Sequence, residues 1–165
     1  MVDSVISYFE QLSIAPEIII VLIAIMPIIE LRGSIPAGIF LLKLPIWYVF
    51  IVSVIANIII IPIIIYGMGI VEKIITKRTW GEKIMTAFNN HIRKKHTRKI
   101  ERYKLMALFI FVAIPMPMTG AWTGSFIAYV FGLPPKRAMI YIACGVFTAG
   151  ILVTLLSTGI FHIIN

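Results

Sequence analysis

The sequence IIIVLIAIMPII (residues 18–29), followed by ELRGSIPAGIFLL (residues 30–42), decides the fold. Its apolar run is interrupted by the polar stretch from Glu30 to Ser34 and then resumes only briefly. At ~1.5 Å per residue, neither arm reaches across a hydrocarbon core that is ~30 Å thick. Glycine, proline and serine at the interruption are helix stop and start signals. The pattern therefore predicts a re-entrant hairpin, two half-helices that enter and leave a bilayer by the same face.

A second interrupted stretch repeats this pattern further along the chain. Leu105 to Ile114 leads into PMPMTGAWTG (residues 115–124), and Ser125 to Phe131 follows. A Leu-Pro pair ends each stretch, Leu44-Pro45 in the first and, 89 positions later, Leu133-Pro134 in the second. Because paired interrupted helices in repeated halves are typical of transporters, we interpret the two stretches as an internal repeat. The alternative is a chance likeness between apolar segments that contain Pro and Gly.

Two long stretches, Pro45 to Val71 and Ala138 to Ile164, carry no formal charge. Each is long enough to cross a bilayer as a helix, so both are predicted to be transmembrane helices. We therefore expect an all-α integral membrane protein with two transmembrane helices and two re-entrant helical hairpins. The predicted organisation is one membrane domain, residues 1–165, made of a first repeat (16–71), a basic connector (72–104) and a second repeat (105–164).

The composition agrees with a membrane protein and narrows its chemistry. The 165 residues are 60% hydrophobic and 13% charged, whereas soluble domains are ~25% charged. The lone Cys144 excludes an intrachain disulfide. His91, His96 and His162 have no partner ligands in the sequence pattern, so neither a metal nor a cofactor is expected. The first 17 residues contain no Lys or Arg, which argues against a cleavable secretion signal.

The basic residues indicate the topology. Eleven of the fifteen Lys and Arg residues lie between Lys73 and Lys104, which predicts that this connector is cytoplasmic. If the second stretch is re-entrant, Lys136 and Arg137 return to the same side. The repeats are then inverted. The chain is expected to be a multi-pass protein of the cell (inner or plasma) membrane, with both termini on the outer side. Within the connector, Gly81 to Tyr103 has the pattern of an amphipathic helix on the anionic leaflet, or else of a solvated loop; nucleic-acid binding is not expected.

Glu30 and Arg32 are the charged residues inside the interrupted stretches. Intramembrane ionisable residues are costly and mark functional sites. Burial favours the neutral form of a carboxyl group, so Glu30 could load and release a proton. Arg32 stays charged, and its planar fork suits a phosphate or a carboxylate. The alternative is that the two side chains pair with each other, or with exposed carbonyl groups, and only hold the tip together.

The other candidate binding residues lie near the interruptions or in mid-span: Ser34, Asn57, Thr119, Trp122 and Thr123. Ser34 is predicted to be the N-cap of a half-helix whose positive end would favour an anion. Thr119 and Thr123 are either caps or ligands. Trp122 either stacks on an aromatic or lipidic substrate or packs in the interior. Asn57 either bridges helices or faces a hairpin tip.

The motifs ELRGSIP (30–36) and PMPMTGAWTG (115–124), at this separation, make the chain similar to the small multidrug export protein family over nearly its whole length. It resembles the DedA superfamily more remotely. DedA members have paired re-entrant hairpins and are implicated in moving lipid-linked phosphates and in proton-dependent drug tolerance. This resemblance implies that Glu30 corresponds to their acidic hairpin residue. The arginines of the DedA pattern near the second hairpin are absent from residues 115–124.

Together these features predict a secondary transporter or lipid flippase, coupled to protons through Glu30, for a small amphipathic or anionic, lipid-phosphate-like substrate. The alternatives are an exporter of cationic drugs and a non-transporting membrane organiser or scramblase. An intramembrane lipid-phosphate enzyme is least favoured, because the tip hydroxyls have no neighbouring histidine. Two spans and two half-depth hairpins shield broken backbone poorly, which predicts a homodimer or higher homo-oligomer among membrane lipids. Gly145 and Ala149 could form its close helix contact.

Overall fold

The computed structural model describes residues 15–75 and 98–164. The N-terminal segment and most of the connector, including most of the predicted amphipathic helix, lie outside the described residues. The described ranges contain helices and no strand, as predicted. The helices are α1 (Pro16–Ile25), α2 (Glu30–Pro36), α3 (Ile46–Ile75), α4 (Arg98–Ala113), α5 (Ala121–Val130) and α6 (Pro135–Ile164), and a π-helical turn (Ala37–Leu41) extends α2.

The two long helices α3 and α6 form the centre of the structure. Their apolar spans, Ile46–Glu72 and Pro135–Gly159, contain 27 and 25 residues, which is long enough to cross a bilayer. The rings of Phe50 and Phe147 meet edge to face at 5.6 Å between the two helices. The outer face of α3 exposes isoleucines at helical spacing, Ile51, Ile55, Ile59 and Ile63. Such a surface suits lipid and would be unstable in water, so the chain is a membrane protein.

Each interrupted stretch folds back on itself as two antiparallel helices. In the first, Gly38 faces Ile20 and Gly33 faces Ile23, where an added Cβ would lie 3.1 Å and 3.7 Å from the isoleucine side chains. We call residues 16–41 the first hairpin. The second hairpin, residues 98–130, pairs α4 with α5 in the same way. There Gly124 faces Val112, and the Lys104 ammonium lies 5.8 Å from the centre of the Phe131 ring.

The two hairpins contact α3 near opposite ends. Gly38, at the base of the first hairpin, packs against Val49 near the start of α3. Tyr129, at the base of the second hairpin, donates a hydrogen bond to Glu72 near the end of α3. The first tip (residues 26–32) and the second tip (residues 114–122) consequently meet between these ends.

The first interruption lies earlier than the sequence analysis predicted. Helix α1 ends at Ile25, and Met26 is extended, because the residue before a proline avoids helical geometry and Pro27 follows it. Helix α2 then begins at Glu30. Ser34 is therefore inside a helix, and its predicted role as an N-cap is wrong.

Three further boundaries and contacts differ from expectation. The described part of helix α4 starts at Arg98, seven residues before the predicted arm, so the end of the basic connector continues into the hairpin. Helix α5 begins at Ala121, which makes Thr123 an interior residue and not a cap. Gly145, expected to contact a neighbouring copy, instead packs against Val112 of α4. That packing already occupies the small-residue face of α6.

Residues with positive φ recur at matching places in the two halves. Lys43 (φ 51°) and Gly132 (φ 61°) each precede a Leu-Pro pair, at the same separation as the sequence repeat. Glu30 (φ 51°) and Met118 (φ 65°) occupy the tips. Left-handed backbone is costly for residues other than glycine and persists where surrounding contacts hold it. The two tips are therefore held by specific contacts, which are described next.

Candidate functional site at the hairpin tips

Glu30 of the first tip is buried against the second hairpin, with 2% of its surface exposed. Its Oε1 accepts a hydrogen bond of 3.1 Å from the backbone N–H of Trp122, in the first turn of α5. The first N–H groups of a helix have no partner within the helix and carry a partial positive charge. Glu30 therefore acts as the cap of α5, across 92 residues of sequence.

Gly120 makes this approach possible. It immediately precedes α5 and is extended, so no special backbone conformation demands glycine here. A Cβ at this position would overlap the Glu30 carboxylate. The absence of a side chain at residue 120 therefore creates the space that the carboxylate occupies.

Arg32 makes the complementary contact with the other helix of the second hairpin. Its Nη2 donates to the carbonyl of Thr119, to the Thr119 hydroxyl at 2.9 Å and to the carbonyl of Ile114 at 3.4 Å. Its Nη1 lies 3.7 Å from Oε2 of Glu30. Carbonyls that follow a helix lack internal partners and favour cations. In the first tip, Glu30 thus binds the start of α5, and Arg32 binds the backbone that follows α4.

Thr119 and Trp122 complete the contact from the second tip. The Thr119 hydroxyl lies 2.7 Å from the Ile114 carbonyl and accepts from the Met116 N–H at 3.2 Å, which closes the loop between α4 and α5. The Trp122 indole N–H donates to the carbonyl of Ile25, the last residue of α1, at 3.0 Å. Each hairpin therefore supplies hydrogen-bond partners for the broken backbone of the other.

A second polar group joins the first hairpin to α3. The hydroxyl of Ser34 donates to that of Ser53 at 2.8 Å. The Asn57 amide donates to the carbonyl of Ala24 at 3.0 Å and to that of Ser53 at 3.1 Å. Ser34, Ser53 and Asn57 are fully buried. Asn57 thus binds the end of α1 one residue away from the carbonyl that Trp122 holds.

The family comparison covers this arrangement except for α1 and the first residues of the first tip. The sequence model described as "Putative small multi-drug export protein" matches residues 30–152, from the Glu30 tip to the middle of α6. The chain belongs to this small multidrug export family. A search of the curated proteins and a search of the solved structures each found no match.

The site of this export-family protein retains unused hydrogen-bonding capacity. Four buried side-chain atoms have no hydrogen-bond partner within the described ranges: Glu30 Oε2, Arg32 Nε, Asn57 Oδ1 and Ser125 Oγ. Buried polar atoms are normally satisfied, so such a group calls for an explanation such as a bound species. Two of the four belong to the Glu30–Arg32 pair itself, where the two hairpins meet.

The predicted site residues divide into three sets. Glu30, Arg32, Thr119 and Trp122 come together at the tips, while Ser34 and Asn57 lie in the adjoining buried group. Thr123 makes no side-chain hydrogen bond with any residue that the structure describes. Among the described residues there is no cluster of three or more His, Cys, Asp or Glu that could hold a metal.

Two fully buried hydroxyls, Ser53 and Ser125, were not predicted from the sequence. Ser53 precedes Asn57 by four residues, so the two share one face of α3, and this spacing was an available signal. Ser125 is fully buried, yet nothing in its apolar neighbourhood distinguishes it from a helix-surface serine. Burial on a particular face depends on tertiary packing.

Asn57→Leu is expected to lower the free energy of unfolding by about 1 kcal/mol, because hydrogen bonds between helices in membranes contribute about 0.6–1.7 kcal/mol. Unfolding in detergent would measure the effect. Thr148→Val is a suitable control, because Thr148 bonds only to its own helix, at the carbonyl of Cys144. Equal stability of Asn57→Leu and the wild type would show that the contact between α3 and α1 does not hold the tip.

Proposed function

We propose that the protein is a proton-coupled secondary transporter whose two hairpins are re-entrant, form an inverted repeat and meet at mid-depth in the membrane. The lengths support this position. Helix α1 has 10 residues, which correspond to roughly 15 Å, about half of a ~30 Å hydrocarbon core. The antiparallel arms and their contacts near opposite ends of α3 agree with entry from opposite faces. Transporters with such repeats expose a midplane site alternately to each side.

The observation that carries the proposal is the buried Glu30 carboxylate at the contact between the hairpins. As an anion it attracts the start of α5 and Arg32. Protonation would remove the charge, weakening both attractions and freeing the two tips to separate. Proton binding and hairpin movement are therefore linked through one group, and a ligand that binds one arrangement better would shift the equilibrium between them.

The same contacts bear on the substrate. The start of α5, which could otherwise bind an anion, is occupied by Glu30, and Nη2 of Arg32 already has acceptors. The open acceptor Glu30 Oε2 favours a substrate that donates hydrogen bonds or carries positive charge. Exposed Met116 and Met118 lie in the second tip, and methionine adapts to varied apolar shapes. We propose an amphipathic organic cation.

An anionic, lipid-phosphate-like substrate is the second candidate, as would suit a flippase. It is favoured by one observation, the buried and unpartnered Nε of Arg32. We do not propose an enzyme. The Ser34 hydroxyl is bound to Ser53 and that of Thr119 to backbone, so neither is paired with a base as a nucleophile requires.

We further propose that the protein is a homo-oligomer, at least a dimer, in the inner or plasma membrane. Residues 114–119 form broken backbone, and Ile114, Met116 and Met118 around it are exposed in the single chain. Lipid cannot hydrogen-bond to such backbone. A second copy would shield this backbone from lipid. In the proposed topology, the basic connector 72–104 lies on the cytoplasmic side.

Glu30→Gln tests the proton coupling. Purified protein in liposomes should move ethidium, a model amphipathic cation, faster when a pH gradient is imposed. In the Glu30→Gln variant, the acceleration by the pH gradient is expected to be about tenfold smaller than in the wild type. A tenfold change lies within the range that typical coupling free energies produce. Glutamine can still accept from the Trp122 N–H, so the fold should persist.

Glu17→Gln is the matched control, because Glu17 lies in the first turn of α1, away from the tip. It should retain the response to the pH gradient. Wild-type transport that ignores the gradient, or a Glu30→Gln variant that responds like the wild type, would refute coupling through Glu30. Gradient-independent movement of lipids in both directions would instead identify a scramblase.

A further inference from the structure

An apolar cleft lies between the two arms of the second hairpin. It encloses about 300 Å³, at the lower end of the range for ligand sites. Its apolar lining includes Ala107, Phe111, Ile127, Phe131 and Leu133. The arms touch near the tip, where Gly124 packs against Val112, and the cleft occupies the part of the hairpin towards its base. In a membrane, such a cleft is open to acyl chains.

Lys104 supplies a positive charge to the same cleft. Its ammonium group lies 5.8 Å from the centre of the Phe131 ring and has no hydrogen bond or ion pair with the described residues. By contrast, the nearby Arg137 is already paired with Glu101 at 2.7 Å. The charge of Lys104 is thus available to a ligand of opposite sign.

The depth of Lys104 matches that of a lipid headgroup. It lies nine residues before Ala113, the last residue of α4, which corresponds to roughly 14 Å, about half of the hydrocarbon thickness. With the tip at the midplane, as proposed above, the ammonium reaches the boundary between acyl chains and headgroups. The contact with Phe131 supports the same depth independently. Phe131 lies beside the Lys104 ammonium and comes just before the membrane span that begins at Pro135.

We propose that this cleft binds an anionic phospholipid, with one acyl chain between α4 and α5 and the phosphate on Lys104. The apolar lining accepts a chain of any type, so selectivity comes from the headgroup charge. Lys136, in a neighbouring cleft with Pro135 and Tyr66, adds positive potential at the same end. The site is distinct from the Glu30–Arg32 pair.

Native mass spectrometry of the full-length protein in a neutral detergent tests the proposal. Phosphatidylglycerol should remain bound more strongly than phosphatidylcholine with the same acyl chains. Lys104→Gln is expected to reduce this preference about fivefold, the effect of one lysine beside an anionic lipid. The control Lys43→Gln, a lysine on the first hairpin side, should leave the preference intact. Equal binding of the two lipids to the wild type, or equal effects of the two variants, would overturn the proposal.

A second pair of variants tests the acyl-chain position. Ala107→Phe fills the cleft and should weaken binding of both lipids, whereas Met106→Phe, on an exposed neighbour that does not line it, should not. Glycerol 3-phosphate, the soluble headgroup fragment, should not compete. Competition by the fragment, or tight lipid binding by Ala107→Phe, would contradict a cleft-bound chain. Glu30→Gln should bind lipid normally, so failure of proton coupling and failure of this site are distinguishable.

Discussion

Gly120→Ala is expected to lower the free energy of unfolding by about 3 kcal/mol and to abolish transport. The new methyl group would occupy the position of the Glu30 carboxylate. The carboxylate must then leave the start of α5, losing a hydrogen bond to a charged group worth about 1.5–3 kcal/mol, in addition to overpacking of about 1–3 kcal/mol. Thermal or denaturant unfolding in detergent would measure the loss of stability.

Gly67→Ala provides the comparison, because a Cβ at Gly67 would meet nothing within 4 Å. Alanine is favoured over glycine inside a helix by up to about 1 kcal/mol, so this variant should be as stable as the wild type or slightly more stable. Adding Glu30→Asp to Gly120→Ala shortens the acid by one methylene and should recover part of the stability. A Gly120→Ala protein as stable as Gly67→Ala would mean that Glu30 does not lie against residue 120.

Arg32→Gln is expected to cost about 3 kcal/mol or more, because removing one partner of a buried ion pair leaves the other charge uncompensated. The loss would also remove the Arg32 donor from the Thr119 carbonyl, whereas the Ile114 carbonyl would keep the N–H of Met116. Stability in detergent is the direct measurement. Arg137→Gln breaks the shorter but exposed pair with Glu101, and should change stability by no more than about 1 kcal/mol.

The double variant Glu30→Gln with Arg32→Gln separates charge from shape. With both charges removed, no buried charge is left without a partner of opposite sign. The double variant should therefore be more stable than Arg32→Gln alone. Strictly additive losses would show that Glu30 and Arg32 do not interact. That result would also remove the physical basis for linking the proton on Glu30 to the contact between the hairpins.

Much of the fold could be predicted from sequence, because the signals were local. Charge-free stretches longer than a bilayer identified α3 and α6, and the Leu-Pro pairs before Ile46 and Pro135 marked their starts. Gly, Pro and polar residues located both interruptions to within a few residues. The error at the first one came from Pro27, whose effect on Met26 ends α1 before the polar stretch begins.

The contacts between the tips could not be predicted in the same way. Glu30 and Trp122 are 92 residues apart, and nothing in either motif says which helix end an acid will cap. The alternative of a Glu30–Arg32 pair within one tip accounts for a single long contact of 3.7 Å. The closer bonds of both residues go to the opposite hairpin, and those of Arg32 include exposed carbonyls, as the same alternative allowed. Tertiary packing also decided that Ser34 binds Ser53 and not the end of its own helix.

The exchange of partners between the tips has a consequence for biogenesis. Glu30 leaves the ribosome 92 residues before Trp122, whose N–H donates the hydrogen bond to its carboxylate. Arg32 likewise emerges long before Thr119, whose carbonyl it binds. Until the later partners are synthesised, a nascent chain holding these charges in lipid would be unstable. If the tips meet within the membrane as proposed, the earlier segment must wait at the headgroup surface or inside the insertion machinery, and its charges are fully buried only after residues 119–122 have been synthesised.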